Sequence, residues 1–152
     1  MSTALQLSID RFWEVIPPLW GCIRGNLRTF AVQTGEITVD QFHILRHIRR
    51  GAGSASELAE IQQISRPAIS QAIDILVDKG LVSRHQSTAD RRYVELSLTP
   101  AGSELLNTIF QKNRQWMLEK LAGLSDEENA ALVGALELLK VAFLEENLTP
   151  IH

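Results

Sequence analysis

The chain is punctuated as a series of short helices, and this punctuation limits its fold more than any other property. Thr38 with Gln41, Ser54 with Glu57, and Ser125 with Glu128 each place a hydroxyl three residues ahead of a long polar acceptor. That spacing lets hydroxyl and acceptor satisfy each other's backbone N–H groups, a capping box that starts a helix. Ser65 is a further N-cap, with Arg66 and Pro67 in the first turn where proline is tolerated. The expected helices run from Thr38 to about Arg50, Ser54 to about Gln62, Ser65 to Lys79, and Ser125 to about Asn147. An earlier helical stretch from about Ile9 to Gln33 contains Pro17-Pro18, which predicts a kink or two abutting helices, since proline lacks a donor and clashes with the preceding turn.

Between Gly80 and Thr99 the period changes. Leu81–His85 reads as a short strand, residues 86–92 as a polar loop, and Tyr93–Leu98 alternates, placing Val94, Leu96 and Leu98 on one face. Thr99-Pro100 then opens a helix to about Leu121. With no internal repeat or linker, residues 1–152 are expected to form one unit. The fold class is mainly α with a small β-hairpin wing, and residues 38–98 have the order of a winged helix-turn-helix.

The helix from Ser65 to Lys79 points toward function. Ile69, Ile73, Leu76 and Val77 share one face and commit it to a core. The opposite face therefore meets water, and it begins with Arg66, Pro67, Ala68, Ser70 and Gln71. Small residues let a helix approach base edges in a major groove, where Arg suits guanine and Gln suits adenine. The hairpin adds Arg84, His85, Arg91 and Arg92 near a polar tip. A thin basic loop suits a narrow minor groove. Asp90 belongs there if its carboxylate orients a neighbouring arginine.

Charge supports this division. The 152 residues carry a net charge of −3, which by itself speaks mildly against a polyanionic partner. By segment, however, residues 1–42 carry −1, residues 43–92 carry +3, and residues 93–152 carry −5. A basic middle is carried on an acidic body. Hydrophobic residues make up 45% of the chain, which excludes disorder and a collagen-like repeat. One cysteine, Cys22, excludes a disulfide scaffold and predicts a reducing, cytoplasmic setting. No apolar run spans a bilayer, the start resembles no secretory signal, and no membrane partner is expected.

The run from Asp90 to Gly102, DRRYVELSLTPAG, resembles the wing signature of the MarR family, D-x-R followed by an alternating strand and L-T-x-x-G. Ile37–Leu45, ITVDQFHIL, is similar to the family's L-T-x-x-Q-F-x-I-L segment. Ser56–Ala59, Ile69-Ser70 and Leu76–Val82 fit the helices between, so the resemblance covers about residues 10–146. It implies a homodimeric bacterial regulator whose terminal helices, here 1–36 and 99–152, interlock as dimerisation helices. It also implies a double-stranded DNA partner with a palindromic operator, often repression, and release by a small ligand or oxidant. Arg92 matches the wing-tip arginine, Asp90 the acid supporting it, and Ser65, Arg66, Pro67, Ala68, Ser70 and Gln71 the recognition helix.

Other readings have bland alternatives. Cys22 could sense oxidants, as in one branch of the family, but that branch holds its cysteine with tyrosines and the only tyrosine here is Tyr93. An inert thiol is the expectation. His43 and His47, at i and i+4, could share a metal, and His43 falls where a zinc-sensing branch has a ligand. Phe42 replaces the expected glutamate beside it, and two histidines leave a metal under-coordinated, so no metal or cofactor is expected. Trp13, Trp20 and Trp116 would most simply fill the core, or line an effector cleft with Arg24, and Arg28 nearby, for a small aromatic or organic acid. No nucleophile motif or phosphate loop suggests an enzyme. A winged-helix module for protein–protein assembly without DNA binding remains the alternative, though it has no need of a basic wing.

Overall fold

Each expected cap engages its helix. Thr38 Oγ1 accepts the Gln41 N–H at 3.1 Å, while Gln41 Oε1 accepts the Thr38 N–H at 3.0 Å. Ser125 and Glu128 do the same at 3.2 and 2.8 Å. Ser54 also accepts the Glu57 N–H, but the Glu57 carboxylate reaches one residue further and accepts the Gly53 N–H at 3.0 Å. The expected reciprocal box is thus shifted by one residue.

The computed structural model describes residues 2–145 of the chain. Its elements are α1 (Thr3–Gly35), α2 (Val39–Arg49), α3 (Ala55–Gln62), α4 (Arg66–Asp78), β1 (Val82–Gln86), β2 (Val94–Leu98), α5 (Pro100–Leu121) and α6 (Asp126–Lys140). A π-helical turn, Val141–Glu145, follows α6. The expected extension of this last helix to Asn147 lies partly outside the described residues. The helical chain with one hairpin is the expected fold class.

Helix α1 differs from expectation in two ways. It begins at Thr3 rather than Ile9, capped by the Ser2 hydroxyl, which accepts the Leu5 N–H at 3.2 Å. It also continues through Pro17 and Pro18 as one helix. The prolines remove the donors to the Trp13 and Glu14 carbonyls, and both of those residues are exposed, so water can take their place.

Residues 2–114 and 115–145 form two separate compact units, with the division inside α5. The core of the first unit gathers Phe42, Leu45 and Ile48 from α2, Leu58 from α3, and Ile69, Ile73 and Leu76 from α4. Leu106 and Ile109 of α5 join it. Burying each such side chain contributes about 1.5–3 kcal/mol. This core holds α3 and α4 as a helix-turn-helix. The turn between them uses Gln63 in the left-handed region, φ 53°, followed by the Ser65 cap.

Strands β1 and β2 pair antiparallel, with Val82 opposite Leu98 and Gln86 opposite Val94. Leu81, Val82 and Leu96 enter the core, and the Leu96 N–H donates to the Gly53 carbonyl at 2.8 Å. Val94, expected on the same inward face, is exposed, because the hairpin projects past the core before it turns. The tryptophans also correct expectation. Trp13 is 68% and Trp20 51% exposed, since the buried positions of α1 are Leu27 and Ala31, near its C-terminal end. Trp116, half-buried, belongs to the second unit.

Candidate nucleic-acid interface

Helix α4 presents the expected face. Its buried residues are Ile69, Ile73 and Leu76, while Ser65, Arg66, Pro67, Ala68, Ser70 and Gln71 are all exposed. The Ser65 hydroxyl accepts the Ala68 N–H at 3.4 Å. The Arg66 guanidinium donates to the Ser56 hydroxyl in the first turn of α3, which links the two helices on their solvent side. Because the core face of α4 is apolar, its wet face can carry small residues without loss of packing.

The wing tip is an ordered loop. Asp90 accepts from the Arg92 backbone N–H at 3.0 Å and from the Arg92 guanidinium at 2.8 to 3.2 Å. This double grip fixes both the backbone and the side chain of Arg92. The charge-assisted bonds hold the Asp90 carboxyl below its usual range, the Arg92 side chain contributing most and its backbone N–H next. The same contact raises Arg92. Arg92 stays exposed, with Arg91 beside it. Asp90 therefore aims the cation without hiding it.

Ser87 went unnoticed in the sequence. It is buried at the base of the tip, where its hydroxyl accepts the Ala89 and Asp90 N–H groups at 3.3 and 3.4 Å. Its N–H donates to the Tyr93 carbonyl at 2.9 Å. A serine two or three residues before Asp is a turn signal that could have found it. Arg84 lies in the middle of β1 rather than at the tip, and its guanidinium pairs with Asp74 of α4. His85 and Glu95 face each other across the strands at 3.6 Å.

The remaining expected sites are not assembled at this interface. Arg24 reaches Asp40 at 4.0 Å, and Cys22 is exposed on α1. A cavity of about 350 Å³ lies between α2, α3 and α4, lined by Gln41, Gln62, Ala68, Gln71 and Ile75. A second, of about 600 Å³, lies beside the wing at Gly53, Glu57, Asp90 and Tyr93. Neither includes Trp13, Trp20, Arg24 or Trp116. His43 and His47 are partly buried on α2, and both are lowered from the usual histidine value, by burial first and then by Arg46. Among the described residues no cluster of three or more His, Cys, Asp or Glu is placed to hold a metal.

An exposed helix of small and polar residues, flanked by a hairpin with an aimed arginine, defines a winged helix-turn-helix protein of the DNA-binding class. Residues 37–94 match the family model described as "MarR family". A proposed transcriptional regulatory protein for the hcr operon of Thauera aromatica is 33% identical over 130 residues, covering 85% of this chain and 76% of that protein. The HTH-type transcriptional repressor MdtR of Bacillus subtilis is 30% identical over 125 residues, covering 82% of this chain and 76% of its own length. The crystal structure of wild-type MarR from E. coli, in its apo form, is 26% identical with a TM-score of 0.69, covering 83% of this chain and 94% of that one. The chain belongs to the MarR family and is a DNA-binding transcriptional regulator rather than an enzyme.

Proposed function

We propose that the protein is a cytoplasmic, homodimeric repressor that reads a palindromic operator and leaves it when a small effector binds. The observation that carries this reading is the Asp90–Arg92 grip, which holds an exposed cation at a wing tip beside an exposed recognition face. In this reading Arg66, Ser70 and Gln71 face base edges, with Ser65, Pro67 and Ala68 allowing close approach, while Arg91 and Arg92 meet the minor groove. Two recognition helices would enter successive major grooves about 34–36 Å apart.

Exposed apolar residues at both ends of the chain support a dimer. Leu5, Trp13 and Leu19 on α1 and Val133, Leu136 and Leu138 on α6 are all exposed in one protomer. Terminal helices within 1–36 and 99–152 would bury them against a second copy. Repression follows the character of the similar B. subtilis protein, which is named a repressor. For the effector, Trp13, Trp20 and Arg24 fall at i, i+7 and i+11, one face of α1, and would offer two exposed rings and a cation to a small aromatic or organic acid.

Selection of genomic fragments by the purified protein tests this function. A recovered palindrome supports the reading. Failure to enrich any DNA at low salt would overturn it in favour of a winged-helix assembly module. Loss of DNA on oxidation, abolished by Cys22→Ser, would replace the small-molecule effector with a thiol switch.

A further inference from the structure

The structure assigns Asp74 and Arg84 a positioning role: their ion pair fixes the angle between the recognition helix and the wing, and neither group touches DNA. This inference rests on the proposal that α4 and the wing tip face DNA together.

The geometry of β1 is the starting point. The strand leaves α4 through a tight turn in which the Leu81 N–H donates to the Leu76 carbonyl at 2.9 Å, and Leu81 and Val82 enter the core. This attaches the hairpin to α4 at its base. On β2, opposite Arg84, Leu96 is buried and donates its N–H to the Gly53 carbonyl, which ties the hairpin to the segment between α2 and α3 but leaves its tilt against α4 to a further contact. The wing tip lies about 20 Å further out at about 3.3 Å per residue, so a pivot of about 10° carries it about 3–4 Å. That shift is enough to lose a groove contact while α4 stays seated.

Arg84 supplies the attachment to the wet face of α4. It stands opposite Leu96 in the hairpin, and its guanidinium spans to the Asp74 carboxylate on the wet face of α4. Asp74 follows Ser70 by four residues and Gln71 by three, so it belongs to the same side of the helix as the proposed base-reading residues. Together with the base turn and the Leu96 anchor, this link sets the angle between the wing and α4. The pair also accounts for an acidic residue at the edge of a face that is to meet phosphates, since Arg84 neutralises it. Both side chains remain substantially exposed, at 40% for Arg84 and 59% for Asp74, so the pair adds little to folding stability. Its effect should appear in DNA binding.

The test uses the full-length protein and its most enriched genomic fragment, with affinity measured across a salt titration. Asp74→Ala and Arg84→Ala should each weaken binding about three- to tenfold, with the double variant no weaker than either single one. The slope of affinity against salt should not change, and Tm should move by less than about 4 °C. The reversed pair, D74R with R84D, should regain much of the lost affinity.

A salt slope reduced by about one in Arg84→Ala, without rescue by the reversed pair, would make Arg84 a phosphate contact and overturn the assignment. Additive losses in the double variant would overturn it as well. Unchanged binding in Asp74→Ala and Arg84→Ala, with binding weakened by Arg92→Ala, defeats the positioning role alone. If Arg66→Ala and Arg92→Ala are also silent, the whole proposed interface fails instead.

Discussion

Gly102 lies so close to Leu81 that a Cβ added to it would sit 2.1 Å from the Leu81 carbonyl oxygen. The start of α5 is thereby pressed against the base of the wing. Thr99 ties the same junction, with its hydroxyl donating to the Gly80 carbonyl at 2.6 Å and accepting the Gly102 N–H at 3.1 Å. Gly102→Ala forces backbone apart and should cost about 1–3 kcal/mol. Thermal unfolding checks this: Tm should fall, and an unchanged Tm means the junction yields freely.

The wing-tip arginine should behave as a charge contact. Arg92→Ala is expected to weaken binding to every DNA sequence and to lower the salt slope by about one. Asp90→Asn should weaken binding less, because it frees the arginine without removing it. A salt titration of the three proteins distinguishes these outcomes, and an undiminished slope in Arg92→Ala rejects the minor-groove placement.

Two groups of ionisable residues lose stability in different windows as pH falls. The Asp90 carboxyl is held low, so the stability of its grip is complete above the usual carboxylate range and is lost only as pH falls through the lowered value. DNA affinity should thus show no Asp90-dependent change between about pH 6 and 8. His43 and His47 are lowered by burial and by nearby arginines, so the unfolded chain binds their protons first. Stability should therefore decline as pH drops through the ordinary histidine value of 6.5. Thermal melts of His43→Gln and His47→Gln across that window should show a shallower decline than the parent.

Association should depend on the apolar residues left exposed in one protomer. Leu138 is 74% exposed, and Leu138→Glu places a charge on the proposed dimer surface. Sedimentation should show dissociation at a protein concentration at which the parent remains dimeric. A variant that still sediments as a parent-like dimer removes this part of α6 from the interface.

Much of the fold was legible because the signals are local. The Thr38–Gln41 and Ser125–Glu128 pairs act within a few residues of themselves, and so do the Ser65 cap and the apolar stripe of α4. The Asp90–Arg92 pairing is equally local, with one residue between partners that a turn brings together. The misreadings have a different origin. The prolines of α1 are tolerated because their surroundings are exposed, and Trp13 and Trp20 lie outside the core because packing begins only at Leu27. Exposure belongs to the assembled chain, and no spacing rule reports it.

The sequence by itself determined the order of the helices, the position of the hairpin, and the residues on the wet face of α4, because capping and periodicity are satisfied within one or two turns. Only the tertiary structure decided which distant groups meet. The Arg84 guanidinium finds Asp74 ten residues away, the Leu96 N–H finds the Gly53 carbonyl, and Leu81 needs a residue without a Cβ at position 102. Each of these depends on the angle at which packed elements cross. That angle is set by the shape of the whole core rather than by any short stretch of chain.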